Sequence, residues 1–384
     1  MKTVVNRKYL ASLRARYQQA SKQQKKYILN ELCICGSYNR KYAIRLLRQS
    51  ESPQSPPQRL GRKPAYHTEG VLAVLMQVYK ATNLICSKRL RAALPLFLPH
   101  ISTLSPEDRQ LLQTISASTI DRLLKPYRQK CSKLGLSTTK PGSLLKKQIP
   151  VRTNQWDETV PGFMEADTVA HCGTSMAGSF VFTVNLVDIA TGWTVQRAVW
   201  GKGQLSVFEA IKDIESTLPF PLRGFDCDNG SEFLNHHLHA YFHHRRRPVY
   251  YTRSRPYHSN DNAHIEQKNW THIRQYLGYG RFDKQELVNM INDLYRNEMT
   301  LLLNFFIPCF KLIDKQRQGA RIVKKHDLPK TPLQRLLQSR MLKAQKRLEL
   351  LELSSRLDPF ALQKAISQKV NNILRFASQP PSIF

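Results

Sequence analysis

Residues 160–279 alternate short β-branched, apolar runs with amphipathic stretches, and this succession constrains the fold more than any other feature of the sequence. Three strand-like runs come first, separated by short turns such as Ala190-Thr191-Gly192. A helical stretch, a strand, a helical stretch, a strand and a last helical stretch follow. This order predicts a mixed α/β domain with helices packed against its sheet.

The chain ahead of this domain is strongly basic. Lys and Arg exceed Asp and Glu by 31 in the whole chain and by 22 within residues 1–150. This charge favours a polyanionic partner, best matched by double-stranded DNA, over a generally basic, solvated surface. The sequence has no apolar run of bilayer length, no signal-peptide core and only seven scattered cysteines. We therefore expect a cytoplasmic protein that associates with DNA and has no membrane partner.

Two stretches have the order of a helix-turn-helix module. In residues 1–50, two helical patterns are followed by the turn Gly36-Ser37 and a basic helix, which Ser37 is expected to cap. Residues 67–128 repeat the rhythm, with one helix expected to stop near Pro95 and another to start at Ser105. We expect these modules to bind DNA, with a plain helical hairpin as the alternative. The basic residues expected to contact DNA here are Arg40, Lys41 and Arg45.

Composition divides the remaining chain. Arg62 and Lys63 lie in a Pro-rich basic linker and are expected either to enter a minor groove or to act as a tether. The C-terminal helices are expected to form an oligomer contact or to cover the α/β domain. The predicted segments are a helical module (1–50), a linker (51–66), a second helical module (67–128), a linker (129–155), the α/β domain (156–303), a small basic β-like subdomain (304–333) and the C-terminal helical region (334–384).

Three carboxylates stand on separate elements of the α/β domain. Asp167 lies in the first strand, Asp228 ends the fourth, and Glu266 lies in the last helix. Carboxylates that converge can bind divalent metal ions, and two Mg²⁺ ions both activate an attacking oxygen and stabilise a leaving one. The first and fourth strands are expected to be neighbours. Other acids compete for this role, or serve as caps and surface ion pairs: Glu165, Asp226, Asp188, Asp261 and Glu232.

Three motifs of this domain resemble those of one family. EADTVAH, DNGSEF and PYHSNDNAHIEQKNW occur in the order of the blocks in the retroviral-integrase-type catalytic core of insertion-sequence transposases. The resemblance covers about residues 150–300. It implies a catalytic and metal-binding triad of Asp167, Asp228 and Glu266, holding two Mg²⁺ ions, with Mn²⁺ as the alternative. It also implies an α/β ribonuclease H-like mixed-sheet catalytic core, preceded here by all-α helix-turn-helix DNA-binding modules.

The activity implied is that of a DDE transposase, which cleaves and joins DNA strands at element ends and acts as a homo-oligomer. The alternatives are a catalytically silent DNA-binding regulator and a metal-dependent nuclease without strand transfer. Trp270, one turn beyond Glu266, is expected in the core. The residues expected to contact DNA beside the triad are Arg253, Arg255, His258, Asn262 and Lys268.

Overall fold

The computed structural model describes residues 7–48, 66, 68–128, 158–254, 263–318 and 321–378. The chain divides into two compact units, residues 1–64 and residues 65–384. Across these described segments, no helix has both the length and the apolar character that crossing a membrane requires.

The first unit is a bundle of three helices. They are α1 (Arg7–Gln19), α2 (Lys22–Gly36) and α3 (Arg40–Arg48). Leu13, Leu32 and Leu47 are fully buried, one from each helix, so the apolar periodicity of the sequence does define the core. The expected helices are confirmed, whereas the helix-turn-helix assignment remains a prediction.

The caps of α2 and α3 differ from expectation at one position. Ser21 accepts a hydrogen bond from the backbone N–H of Gln24, whose side chain accepts one from the N–H of Ser21, which forms a capping box. Ser37 does not cap α3, because its backbone has φ 52° and closes the C-terminus of α2. Asn39 begins α3 instead, and its side chain accepts from the N–H of Lys41 at 3.0 Å.

Four helices open the second unit: α4 (Glu69–Ala81), α5 (Ser87–Phe97), α6 (Pro106–Thr114) and α7 (Ala117–Arg128). Ser105 caps α6 as expected, through the N–H of Asp108. The predicted stop near Pro95 is confirmed to within two residues, since α5 runs through Pro95 and ends at Phe97. Phe97 is fully buried, with its ring edge against Phe306 and Phe360, and this packing outweighs the backbone bond that proline removes.

A five-stranded mixed sheet follows. Strands β1 (Phe163–Ala170), β2 (Val181–Asp188) and β3 (Thr194–Trp200) pair antiparallel. Strands β4 (Gly224–Cys227) and β5 (Tyr250–Arg253) extend the sheet in parallel from β1, which gives the order β3-β2-β1-β4-β5. The predicted neighbours β1 and β4 are thus confirmed, and this mixed sheet with helices fits a ribonuclease H-like core. The helices between these strands are α8 (Gln204–Thr217), which precedes β4, and α9 (His236–His243), which precedes β5.

Helices and one hairpin complete the second unit. The helix expected to carry Glu266 is divided by a π-helical turn, Asn269–Arg274. Ile366 and Ile373 of the last helix are buried in the same core as the sheet, so that helix covers the α/β domain. The bounds are α10 (Ala263–Lys268), α11 (Gln275–Leu277), α12 (Glu286–Leu294), β6 (Leu312–Gln318), β7 (Arg321–His326), α13 (Pro332–Gln338), α14 (Ala344–Arg356) and α15 (Pro359–Ser378), with further π-helical segments at Tyr295–Met299 and Leu302–Phe306.

An aromatic cluster holds β4 in place. Phe225 is fully buried, and its ring centroid lies 4.9 Å from that of Phe242, 5.9 Å from Tyr251 and 6.1 Å from Phe233. Rings packed at such distances contribute more than their buried area alone. The cluster therefore anchors the strand from which Asp228 emerges.

Candidate active site

Asp167 and Asp228 come together at the end of β4. Glu165 is paired with Asp226 in the parallel β1–β4 register. Side chains two residues apart on a strand share a face, so Asp167 and Asp228 lie level with each other on the same face of the sheet. The expected pair of aspartates is therefore adjacent.

The turn after β4 shapes the position of Asp228. The N–H of Gly230 donates to Asp228 Oδ1 at 2.9 Å. A Cβ at Gly230 would lie 2.7 Å from Glu232 Oε2 and 2.9 Å from that Asp228 oxygen, closer than side chains tolerate. A side chain at position 230 would therefore have to displace the carboxylates of Asp228 and Glu232.

Asn229 and Arg253 brace the same turn. Asn229 Nδ2 donates to the carbonyl of Ser254 at 3.1 Å, and its Oδ1 accepts from Arg253 Nη1 at 3.0 Å. Arg253 is buried, and it ties the end of β5 to the turn that carries Asp228. The structure thus gives Arg253 a supporting contact, whereas its predicted DNA contact stays a prediction.

A chain of amides orients Asp167. Asn269 Nδ2 donates to Asp167 Oδ2 at 2.6 Å, and Asn269 Oδ1 accepts from Asn185 Nδ2 at 2.8 Å. Asn185 Oδ1 in turn accepts from Gln196 Nε2 at 3.0 Å. Because Asn269 and Asn185 each have both their donor and their acceptor ends bonded, they hold Asp167 Oδ2 in one orientation.

Glu266 reaches this face of the sheet from α10. The backbone N–H of Ile265 donates to Glu165 Oε2 at 3.2 Å, which ties α10 to β1 beside the aspartates. The Glu266 side chain is exposed. Its charge nevertheless acts on Asp167, so the three predicted carboxylates share one region of the structure.

Burial and mutual repulsion make these acids hard to ionise. Burial, followed by the charges of Asp228 and Glu266, raises the pKa of Asp167 to about 7. Burial and the charge of Glu232 raise the pKa of Asp228, and partial desolvation by neighbouring groups raises that of Glu266. A divalent cation bound between them would favour the ionised forms, and carboxylate oxygens are the ligands that Mg²⁺ prefers. Within the described segments, no three His, Cys, Asp or Glu side chains enclose an ion position by themselves.

Two further acids are more deeply buried in the sheet than Asp167 and Asp228. Glu165 and Asp226 are both buried, and burial followed by the charge of Asp226 raises the pKa of Glu165 well above its usual range. The hydroxyl of Thr252 donates to Asp226 Oδ1. These contacts hold strands and helix together behind the site rather than at its surface.

Glu232 lies beside Asp228 and was assigned a different role from the sequence. It is buried in the turn before α9, where Asn235, not Glu232, caps the helix. Glu232 Oε1 accepts from the hydroxyl of Thr168 at 3.1 Å and lies 3.8 Å from Lys202 Nζ. The expected helix-start role of Glu232 is therefore wrong.

The remaining predicted residues fall in three groups. On α3, the side chains of Arg40, Lys41 and Arg45 are exposed. Lys268 is partly buried and lies 3.5 Å from His272, and burial lowers its pKa. The predicted residues outside the described segments are Arg62, Lys63, Arg255, His258, Asp261 and Asn262.

Sequence reasoning missed the amide chain, although two signals pointed to it. Asn185 is a lone amide in the apolar run of β2, directly opposite Asp167 in the register. Asn269 follows Glu266 by three residues, a spacing that places two helical side chains on one face. Trp270 was expected in the core, but it is 36% exposed and its ring packs on Tyr279.

No family model matches the sequence. The chain is 39% identical over 326 residues to the uncharacterized protein y4rM of Sinorhizobium fredii (strain NBRC 101917 / NGR234), a span that covers 83% of this chain and 91% of that protein.

The solved structures that match include two integrase catalytic core domains. The catalytic core domain of BIV integrase is 15% identical with a TM-score of 0.28, over 47% of this chain and 95% of that chain. The HTLV-2 integrase catalytic core domain in complex with magnesium is 15% identical with a TM-score of 0.29, over 39% and 91%. Scores this low support no inference about this chain.

Proposed function

Since the chain belongs to the same family as the uncharacterized y4rM protein of Sinorhizobium fredii, we propose its function from its own residues. We propose that it is a metal-dependent polynucleotidyl transferase, a DDE transposase that cleaves DNA at element ends and joins the freed strand to target DNA. The observation that carries this proposal is the level placement of Asp167 and Asp228 on neighbouring parallel strands, with Glu266 acting on Asp167 from α10.

The residues present suit a divalent metal. Asp167 and Asp228 would hold it through carboxylate oxygens, and Glu266 would complete the site from α10. A bound Mg²⁺ or Mn²⁺, and two ions where both positions fill, would activate the attacking oxygen and neutralise the leaving one. Asn269 keeps one oxygen of Asp167 oriented, and the N–H of Gly230 does the same for Asp228.

The charge of the chain suits a DNA substrate. The excess of 31 basic residues attracts the phosphate backbone, and the exposed Arg40, Lys41 and Arg45 of α3 would contact it. Such contacts position DNA without reading its sequence. We propose that the helical segments deliver DNA ends to the carboxylates, and that two chains pair to hold two ends.

The assay uses end-labelled duplexes taken from the DNA that flanks the reading frame, incubated with a supercoiled plasmid and Mn²⁺ or Mg²⁺. We expect nicked duplex and labelled plasmid, both lost on chelation and in Asp228→Asn. Asp283→Asn is the matched control, because Asp283 is 47% exposed and bonds Arg281 away from the triad.

Each other outcome identifies a different function. Nicking without labelled plasmid indicates a nuclease that lacks strand transfer. Duplex binding without any cleavage indicates a DNA-binding regulator. Nicking and joining by Asp228→Asn at the wild-type rate would remove the triad from the proposal.

A further inference from the structure

A small cavity beside α10 is lined by four basic side chains. Its volume is about 60 Å³, and its walls come from α5, the turn after β2, α10, the approach to β6, and α13. All of these elements belong to the second unit. The basic side chains are Arg89, Lys268, Lys311 and Arg335.

The acids near the cavity are already engaged. Asp188 lines it, but its two oxygens accept from the N–H of Gly162, and from the N–H and hydroxyl of Thr191. Asp327 pairs with one edge of the Arg335 guanidinium. The cavity therefore has four cationic side chains and two nearby carboxylates, Asp188 in its lining and Asp327 paired with Arg335.

Arg335 presents an unused donor at this cavity. Its side chain is 9% exposed, and its Nη atoms donate to Asp327 and to the carbonyl of Cys309. Its Nε is buried and has no hydrogen-bond partner within the described segments. A buried guanidinium N–H left unpaired costs free energy, so a ligand that accepts a hydrogen bond here is favoured.

Two other cations are held at the same cavity. Arg89 Nε donates to the carbonyl of Pro308 at 2.6 Å, which fixes its guanidinium. Lys268 lies 3.5 Å from His272, and burial, followed by the charges of Lys268 and Arg89, holds the pKa of His272 well below its usual range. His272 is thus neutral and adds no positive charge, but the repulsion between the cations remains.

We propose that this cavity binds a small inorganic oxyanion of the phosphate or sulfate class. Its volume exceeds the roughly 10–15 Å³ that one water needs, and falls far below the roughly 300 Å³ of the smallest pockets for organic ligands. A tetrahedral oxyanion offers several acceptor oxygens, and charge-assisted bonds to Arg and Lys are the strong ones. The four cations outnumber the carboxylates of Asp188 and Asp327, and the ion offsets the remaining positive charge. This site is independent of the transferase proposal, because binding is measured without DNA or divalent metal.

The test is calorimetric titration of the full chain with inorganic phosphate in a zwitterionic buffer of constant ionic strength, with sulfate in a parallel series. We expect saturable binding of one anion per chain. Lys268→Met and Arg89→Met should each weaken it about tenfold or more, because each removes one charge from the cavity. Lys212→Met is the matched control, since Lys212 is 42% exposed on α8 and its removal should leave the affinity unchanged.

Several results would overturn the site. Heat that grows without saturation up to about 50 mM phosphate indicates diffuse binding to a basic surface. Equal affinities in the wild type, Lys268→Met and Lys212→Met would show that the anion binds elsewhere. If Lys268→Met does not fold, Arg89→Met decides in the same way, and the saturation behaviour of the wild type decides without any variant.

Discussion

Replacing Asp167 by asparagine should stabilise the metal-free protein at alkaline pH and abolish its stabilisation by Mg²⁺. Burial and the charges of Asp228 and Glu266 raise the pKa of Asp167 from 3.8 to about 7. The folded state therefore keeps a proton that the unfolded state loses above about pH 4. Stability from this group is complete below the unfolded pKa, and is lost as the pH rises towards about 7.

The size of the effect follows from the shift. A shift of roughly three pKa units corresponds to about 4 kcal/mol at 1.4 kcal/mol per unit. Asparagine keeps one acceptor oxygen for Asn269 but loses the bond from the N–H of Thr168, at a cost of about 1 kcal/mol. We expect Asp167→Asn to gain about 3 kcal/mol at about pH 8 and to lose about 1 kcal/mol at about pH 4.

The assay is urea unfolding with a chelator across that pH range, repeated with excess Mg²⁺. Mg²⁺ should stabilise the wild type, because a ligand that binds only the folded state adds free energy, and should leave Asp167→Asn unchanged. Asp188→Asn is the control. The pKa of Asp188 is also raised, from 3.8 to about 6, which corresponds to about 3 kcal/mol, but three donors converge on its carboxylate. This variant should therefore lose about 1–3 kcal/mol at about pH 4 and change little at about pH 8, where the lost hydrogen bonds offset the removed ionisation cost. A loss of stability by Asp167→Asn at about pH 8 in chelator would refute the repulsion argument.

Two further predictions concern the support of the site. Asn269→Ala should lower plasmid nicking about ten- to a hundredfold and raise the Mg²⁺ concentration needed, because Asp167 Oδ2 loses its orienting donor; an unchanged metal dependence would contradict this. Phe225→Ala should cost about 3–5 kcal/mol in denaturant unfolding by opening a cavity in the aromatic cluster, whereas Leu205→Ala, at a site 61% exposed, should change stability by less than about 0.5 kcal/mol.

The strands and helices of the α/β domain followed from the sequence because their periodicity reflects burial. The runs that became β1, β2 and β3 are apolar along most of their length, and all three pair in one sheet. The adjacency of β1 and β4 followed from the usual order of such elements. The positions of the strands and helices depend on local sequence pattern, and a single sequence contains that pattern in full.

Features set by tertiary packing did not follow. Pro95 predicts the end of a helix by its missing N–H, but the burial of Phe97 two residues later carries α5 past it. Ser37 has a side chain suited to a helix start, yet its left-handed backbone ends the preceding helix. In both cases an expectation based on neighbouring residues was overridden, by the packing of Phe97 in one and by the backbone conformation of Ser37 in the other.

The exposure of Trp270 follows from its spacing to Glu266. Trp270 follows Glu266 by one helical turn and projects near the same face, on which Glu266 is exposed. The turn from Asn269 to Arg274 contains more residues than an α-helical turn, so later side chains are rotated around the axis. His272 and Ile273 are buried, whereas Trp270 is exposed. The same turn sits where Asn269 meets Asp167, as π-helical turns often do at functional sites.

Strand parity alone cannot separate Asp167 from Glu165, or Asp228 from Asp226, because both members of each pair project from one face of the sheet. Their depth separates them. Glu165 and Asp226 are paired within the ladder and buried, and Glu165 Oε2 is occupied by the N–H of Ile265. Asp228 lies just beyond the last residue of β4, and Asp167 lies level with it. Glu165 lies within the β1–β4 pairing and holds α10 against β1, whereas Asp167 and Asp228 lie just beyond that pairing. The proposed function therefore gives the support to Glu165 and the chemistry to Asp167 and Asp228.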